Sequence, residues 1–156
     1  MGWVEPLLGH IVGVDTAPFI YYTEENPDYI DAIVPFFEAI GRGEIAIITS
    51  VVTLLEVLVH PTKSGNADLA KKYRELLFKT KGIKTIDVTQ AVAEEAARLR
   101  ASYNIRTPDA IHVATAIKAG ADFILTNDIR FPSLINPKVL VLDQIMNSSS
   151  EVTEES

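Results

Sequence analysis

The chain has 156 residues, 47% of them hydrophobic and 22% charged, which is the size of one globular domain with enough apolar material for one core. It has no cysteine, which excludes disulfide frameworks, thiolate metal sites and cysteine nucleophiles and fits a reducing cytoplasm. A formal net charge of -7 excludes non-specific nucleic-acid binding through a broad basic surface, while leaving open a phosphate substrate reached through a metal ion.

Residues 1–10 have no basic n-region and no long apolar h-region, and no run elsewhere reaches the roughly 18 apolar residues of a membrane helix. The expectation is a soluble, unexported, cytoplasmic protein with an N-terminal extension over 1–10. Five short apolar runs read as strands: Ile11 to Val14, Ile45 to Ile48, Lys84 to Ile86, Phe123 to Leu125 and Val139 to Leu142. Between the first two, a helix is expected with Asn26 as cap and Pro27 in its first turn, followed by Ile30, Ile33, Val34, Phe37 and Ile40 at helical spacing. Pro35 should kink or break it. A second helix begins after Ser50 and stops at or before His60, because Pro61 disfavours helical geometry at the preceding residue. Leu69, Tyr73, Leu76 and Leu77 mark a third helix, and Val92, Ala96 and Leu99 a fourth after a Thr89 cap. Ala110, Val113, Ala114 and Ile117 mark a fifth, ending near Gly120. The polar, acidic stretch 147–156 reads as a disordered tail, leaving 11–146 as the domain. Strands alternating with helices imply an α/β fold: one domain of three α/β/α layers around a mostly parallel sheet of four to five strands.

In open sheets of this kind the ligand crevice lies outside the carboxyl ends of the strands. Asp15 and Asp128 directly follow predicted strands at that end, Asp109 falls in the first turn of the helix before the last of these, and Glu56 lies one to two turns into the helix after the second strand. Ionised carboxylates in apolar settings are costly without a facing cation or donors, so four of them without evident Lys or Arg partners suggest a divalent-metal site.

Each residue has a plainer reading. Asp15 and Asp128 suit turns, and Thr107, Pro108 and Asp109 make a good helix start without any metal. Glu56 interrupts a run of Val, Leu and Thr, and a nearby Arg or Lys could pair with it. His112 shares a helical face with Asp109 and reads as a half-buried structural histidine, with a hydrogen bond to a carboxylate or phosphate as the alternative. Arg106 and Arg130 flank the late aspartates and would suit phosphate contacts. The run with Lys71, Lys72, Arg74, Lys79 and Lys81 reads as a solvated helix face. Asp87 and Asp122 stand outside the site, the first because Thr89 explains its turn and the second because it lies at the opening end of a strand.

The ordered set Val14-Asp15-Thr16, Thr53-Leu54-Leu55-Glu56, Thr107-Pro108-Asp109-Ala110-Ile111-His112-Val113-Ala114 and Phe123-Ile124-Leu125-Thr126-Asn127-Asp128 resembles the PIN-domain family over roughly residues 11 to 143. The single-domain size resembles the VapC-like toxins of toxin–antitoxin pairs. The resemblance implies a metal-dependent ribonuclease with Asp15, Glu56, Asp109 and Asp128 as its acidic quartet. Thr126 and Asn127 match a polar segment that helps orient the last carboxylate. It also implies an RNA substrate, an antitoxin partner and a homodimer. Hard oxygen ligands favour Mg²⁺ or Mn²⁺ over Zn²⁺. A housekeeping RNA-processing nuclease would use the same acids. Readings from other classes are a non-catalytic adaptor whose acidic pocket binds a basic partner segment and a phosphoacceptor receiver module. The latter lacks its expected paired acids, since Asp15 is followed by Thr16.

Overall fold

A computed structural model describes residues 2–147. Strands and helices alternate as β1 (Ile11–Val14), α1 (Thr16–Thr23), α2 (Ile30–Gly41), β2 (Ala46–Ser50), α3 (Val51–Ser64), α4 (Ala67–Lys79), β3 (Ile83–Ile86), α5 (Gln90–Ser102), α6 (Thr107–Lys118), β4 (Phe123–Thr126) and β5 (Lys138–Val141). Every strand pairing is parallel and the order is β3-β2-β1-β4-β5. The three-layer α/β expectation therefore holds, with the sheet wholly parallel among the described residues.

Period-two alternation along the strands divides the core between the two faces of the sheet. Val12, Val14, Ile47 and Leu125 pack with Phe19, Ile33, Phe36, Val57 and Tyr73, while Ile48 and Ile124 pack with Val92, Leu99, Ala110 and Val113 of α5 and α6. Burying side chains of this size contributes about 1.5–3 kcal/mol each, so the two clusters dominate the stabilisation of the layers. Gly13 lets α6 approach the central strand, because a Cβ there would lie 2.8 Å from the Ala116 Cβ. The basic residues of α4 are exposed, as a solvated face requires.

Several local expectations are corrected. Helix α1 was not anticipated: its sequence Thr-Ala-Pro-Phe-Ile-Tyr-Tyr-Thr shows little polar–apolar contrast, yet the Asp15 side chain accepts from Thr16 N and Pro18 falls in the first turn, where proline is tolerated. Asn26 does not cap α2, which begins at Ile30 with Tyr29 as its N-cap; Asn26 instead closes the preceding turn by accepting from Asp28 N. Pro35 does not break α2, which runs to Gly41. Helix α3 passes through Pro61 to Ser64, and its last turn is finished by Gly65 at φ 68°, whose N–H donates toward the Pro61 and Thr62 carbonyls.

Ahead of β1, Leu7 is fully buried and Trp3 stacks on Phe36 at a centroid distance of 5.4 Å while its Nε1 donates to the Ala32 carbonyl at 3.1 Å. A helical stretch over 142–147 follows β5, and the expected tail, from 148 onward, lies outside the described residues. No helix among the described residues is long and apolar enough to cross a membrane.

Candidate active site

The chain moves from β1 to β2 on one side and returns from β3 to β4 on the other, so β1 and β4 flank the point where the winding direction reverses. Their carboxyl ends lie side by side, and Asp15 N donates to the Leu125 carbonyl at 2.9 Å. Asp15 leaves β1, Thr126 to Asp128 leave β4, Glu56 comes from the second turn of α3, and α6 packs across β1, β2 and β4 to bring Asp109 and His112.

The four carboxylates form two pairs. In the first, His112 Nε2 lies 3.1 Å from Glu56 Oε1 and 3.3 Å from Asp15 Oδ1. Thr16 Oγ1 donates to Glu56 Oε1 at 2.9 Å, and Thr126 Oγ1 donates to Asp15 Oδ2 at 2.9 Å. Beneath them Thr49 Oγ1 donates to the Val14 carbonyl at 2.8 Å and stands 2.8 Å from Thr53 Oγ1. With that proton committed, Thr53 must donate to Thr49. Its 3.3 Å contact with Thr16 then has no proton left of its own. The hydrogen bond from His112 is the main reason the Glu56 carboxyl lies below its usual range, with burial opposing. For His112, burial pushes the ring down, but the Glu56 hydrogen bond and the charges of Asp15, Glu56 and Asp109 outweigh it and leave the ring above its ordinary value.

The second pair is bridged by Arg106, whose Nε donates to Asp109 Oδ2 at 3.2 Å and whose Nη2 lies 3.7 Å from Asp128 Oδ2. Arg130 adds a fork on Asp128, with Nε at 2.9 Å from Oδ1 and Nη2 at 2.8 Å from Oδ2. Burial raises Asp109 despite Arg106, and the charges of Asp15 and Asp128 add to the rise. Asp128 is lowered, chiefly by the Arg130 hydrogen bonds. Asp109 thus feels carboxylates of both pairs, which makes the four one electrostatic group.

The fold brings Asp15, Glu56, Asp109 and Asp128 to one end of the sheet. Several details differ from the sequence reading. Glu56 is not deeply buried: its side chain is 37% exposed, and its partner is His112 rather than a Lys or Arg. The late aspartates do have arginine partners, so Arg106 and Arg130 lie on carboxylates here. Thr126 joins the site from both sides, donating to Asp15 and accepting from Asp128 N at 3.1 Å. Asn127 points elsewhere, donating to Tyr21 Oη at 3.0 Å and accepting from Asp143 N at 2.9 Å. His112 is buried within the acidic group rather than half-buried beside it. Its place three residues after Asp109, a single helical turn on, was the available signal. Thr16 is legible in the sequence only as part of the Val14-Asp15-Thr16 motif; its bond to Glu56 is not, since only folding brings α1 against α3.

Asp15, Glu56 and His112 each offer a ligand atom, all within 4.8 Å of one another. His112 Nδ1 is buried with no partner among the described residues, whereas Nε2 faces two carboxylate oxygens. Ionised carboxylates can only accept, so the neutral ring's proton lies on Nε2, and Nδ1 lacks a described partner in either tautomer. Nε2 is therefore assigned as a proton donor to the acids, and the oxygen-rich remainder fits a hard divalent cation.

The PIN domain family model matches residues 12–135. The chain belongs to the PIN domain family. Among solved structures it is similar to VapBC2 from Rickettsia felis bound to a promoter DNA fragment, with 18% identity over 84% of this chain and 98% of that one and a TM-score of 0.64. A toxin–antitoxin complex from Klebsiella pneumoniae is 23% identical over 86% of this chain and 98% of its own, at a TM-score of 0.60. The sarcin-ricin loop cleaving toxin VapC20 of Mycobacterium tuberculosis is 16% identical over 78% and 92%, at 0.63. These likenesses establish the fold. No curated protein matches the chain significantly by sequence.

Proposed function

We propose that this protein is a metal-dependent ribonuclease that hydrolyses RNA phosphodiester bonds, and that it is the toxin of a toxin–antitoxin pair. The observation that carries the reading is the gathering of Asp15, Glu56, Asp109 and Asp128 at the carboxyl ends of the two central strands. Membership of the PIN family and likeness to toxin–antitoxin structures support it.

On this reading Asp15, Glu56, Asp109 and Asp128 hold Mg²⁺ or Mn²⁺ through carboxylate oxygens. When bound, such an ion supplies an activated water and neutralises charge on the phosphate. Thr16 and Thr126 orient Glu56 and Asp15, and His112 holds those two carboxylates at a fixed separation by donating between them. Burial leaves Asp109 short of compensation, so it gains most from a cation. A basic antitoxin segment would meet the same acids, and a homodimer is the expected assembly.

The test is cleavage of a mixed single-stranded RNA pool with Mn²⁺ or Mg²⁺, with EDTA and Asp109→Asn controls. Cuts lost in both controls, with the variant's circular dichroism unchanged, support the reading; metal-dependent cuts that persist in Asp109→Asn overturn it. Absence of divalent-ion binding would instead favour the adaptor.

A further inference from the structure

The N-cap of α6 and a residue within it stand three positions either side of Asp109, and each bridges one carboxylate pair: His112 joins Asp15 to Glu56, and Arg106 joins Asp109 to Asp128. They differ in freedom. The His112 side chain is 3% exposed and enclosed by its neighbours, whereas that of Arg106 is 62% exposed. Its backbone is nonetheless held, because Arg100 Nε donates to the Ile105 carbonyl at 3.1 Å and Arg100 Nη1 donates to Thr107 Oγ1 at 3.0 Å. A fixed backbone with a long, exposed guanidinium can release Asp109 without disturbing the start of α6. Asp128 would keep Arg130 as its counter-charge, whereas Arg106 is the only cation in direct contact with Asp109 among the described residues.

We propose that Arg106 is an exchangeable counter-cation: it occupies the Asp109–Asp128 pair in the metal-free protein, is displaced when a divalent ion takes those oxygens, and then contacts the RNA phosphate brought to the same place. The second half rests on the nuclease reading; the first does not. The chemistry favours the exchange, since a guanidinium fork matches a phosphate as well as it matches a carboxylate. The Arg106 side of the pair is 62% exposed, so water can solvate the guanidinium as it leaves, while the buried Asp109 carboxylate passes from one cation to another.

Arg106→Gln gives the two halves opposite signs. Removing the competing cation should tighten Mn²⁺ binding about two- to fivefold, read without RNA from the free Mn²⁺ signal in electron paramagnetic resonance. The same variant should raise KM for RNA about tenfold, as loss of a charge-assisted phosphate contact does. Arg106→Lys, which keeps the charge without the fork, should fall between. Arg42→Gln removes an equal charge at the opposite end of the sheet and should change neither quantity. Mn²⁺ affinity that is unchanged or weaker in Arg106→Gln overturns the exchange, and tighter Mn²⁺ binding with an unchanged KM overturns the transfer to phosphate. If the wild-type chain cleaves no RNA, the nuclease reading fails, while the Mn²⁺ comparison still decides the counter-cation.

Discussion

Thr126 is the residue on which most of the site's local order converges. Its buried hydroxyl donates to Asp15 and accepts from the backbone of Asp128, so one side chain sets the spacing of carboxylates from two strands. Thr126→Val keeps the shape and strand propensity while removing both bonds. Groups that orient metal ligands typically matter about 10- to 100-fold, so Mn²⁺ affinity in Thr126→Val is expected to weaken by about tenfold or more. A calorimetric titration showing wild-type affinity would refute that role. At this scale the sequence was most legible for acids at strand ends, which follow from position along the chain. It was least legible for their partners. Thr16, Thr53 and Glu56 are joined only because α1 and α3 pack together, and no spacing within the chain records that contact.

Helix α6 is the element that assembles the site, since it carries Asp109, His112 and the Arg106 cap and lies directly on the central strand at Gly13. A methyl group at Gly13 would meet the Ala116 Cβ at 2.8 Å, well inside contact distance, so the helix or the strand must shift. Gly13→Ala is therefore expected to destabilise the protein by about 1–3 kcal/mol and to weaken Mn²⁺ binding, as urea unfolding and metal titration would show. An unchanged unfolding midpoint would mean that the layers accommodate the methyl group. Sequence periodicity found α4, α5 and α6, although α6 is buried at nearly every position from 109 to 116. It missed α1, where apolar and aromatic residues fall on every side, and it ended α3 early. Proline rules describe the local backbone, while the buried Pro61 and the Gly65 cap hold the last turn of α3 in place.

Across the whole molecule, the carboxylates couple stability to pH. His112 lies above its ordinary value in the fold, so its stabilisation is complete below about pH 6.5 and is lost as pH rises through the raised value. Glu56 lies below its ordinary value, so its contribution is present above about pH 4.3 and is lost as pH falls through the lowered value. Asp109, raised by burial, opposes Glu56, because its ionisation costs more in the fold than in the unfolded chain. In EDTA the melting temperature should decline on the alkaline side of the His112 window, and His112→Gln should flatten that limb. An equally steep limb in the variant would assign the decline to other groups.

The amino-acid sequence by itself determined the single α/β domain, the parallel sheet and the four carboxylates at or near the strand and helix ends, because these follow from periodicity and from the placement of charge beside apolar runs. Only the tertiary structure decided what faces those carboxylates. The parallel order β3-β2-β1-β4-β5 places β1 against β4, and α6 crosses them, so partners up to 111 residues apart meet. Hydrogen bonds and ion pairs depend on distance in space, which the chain acquires only when its layers pack. The division of four acids into a pair held by a buried histidine and a pair held by an exposed arginine is therefore a property of the fold.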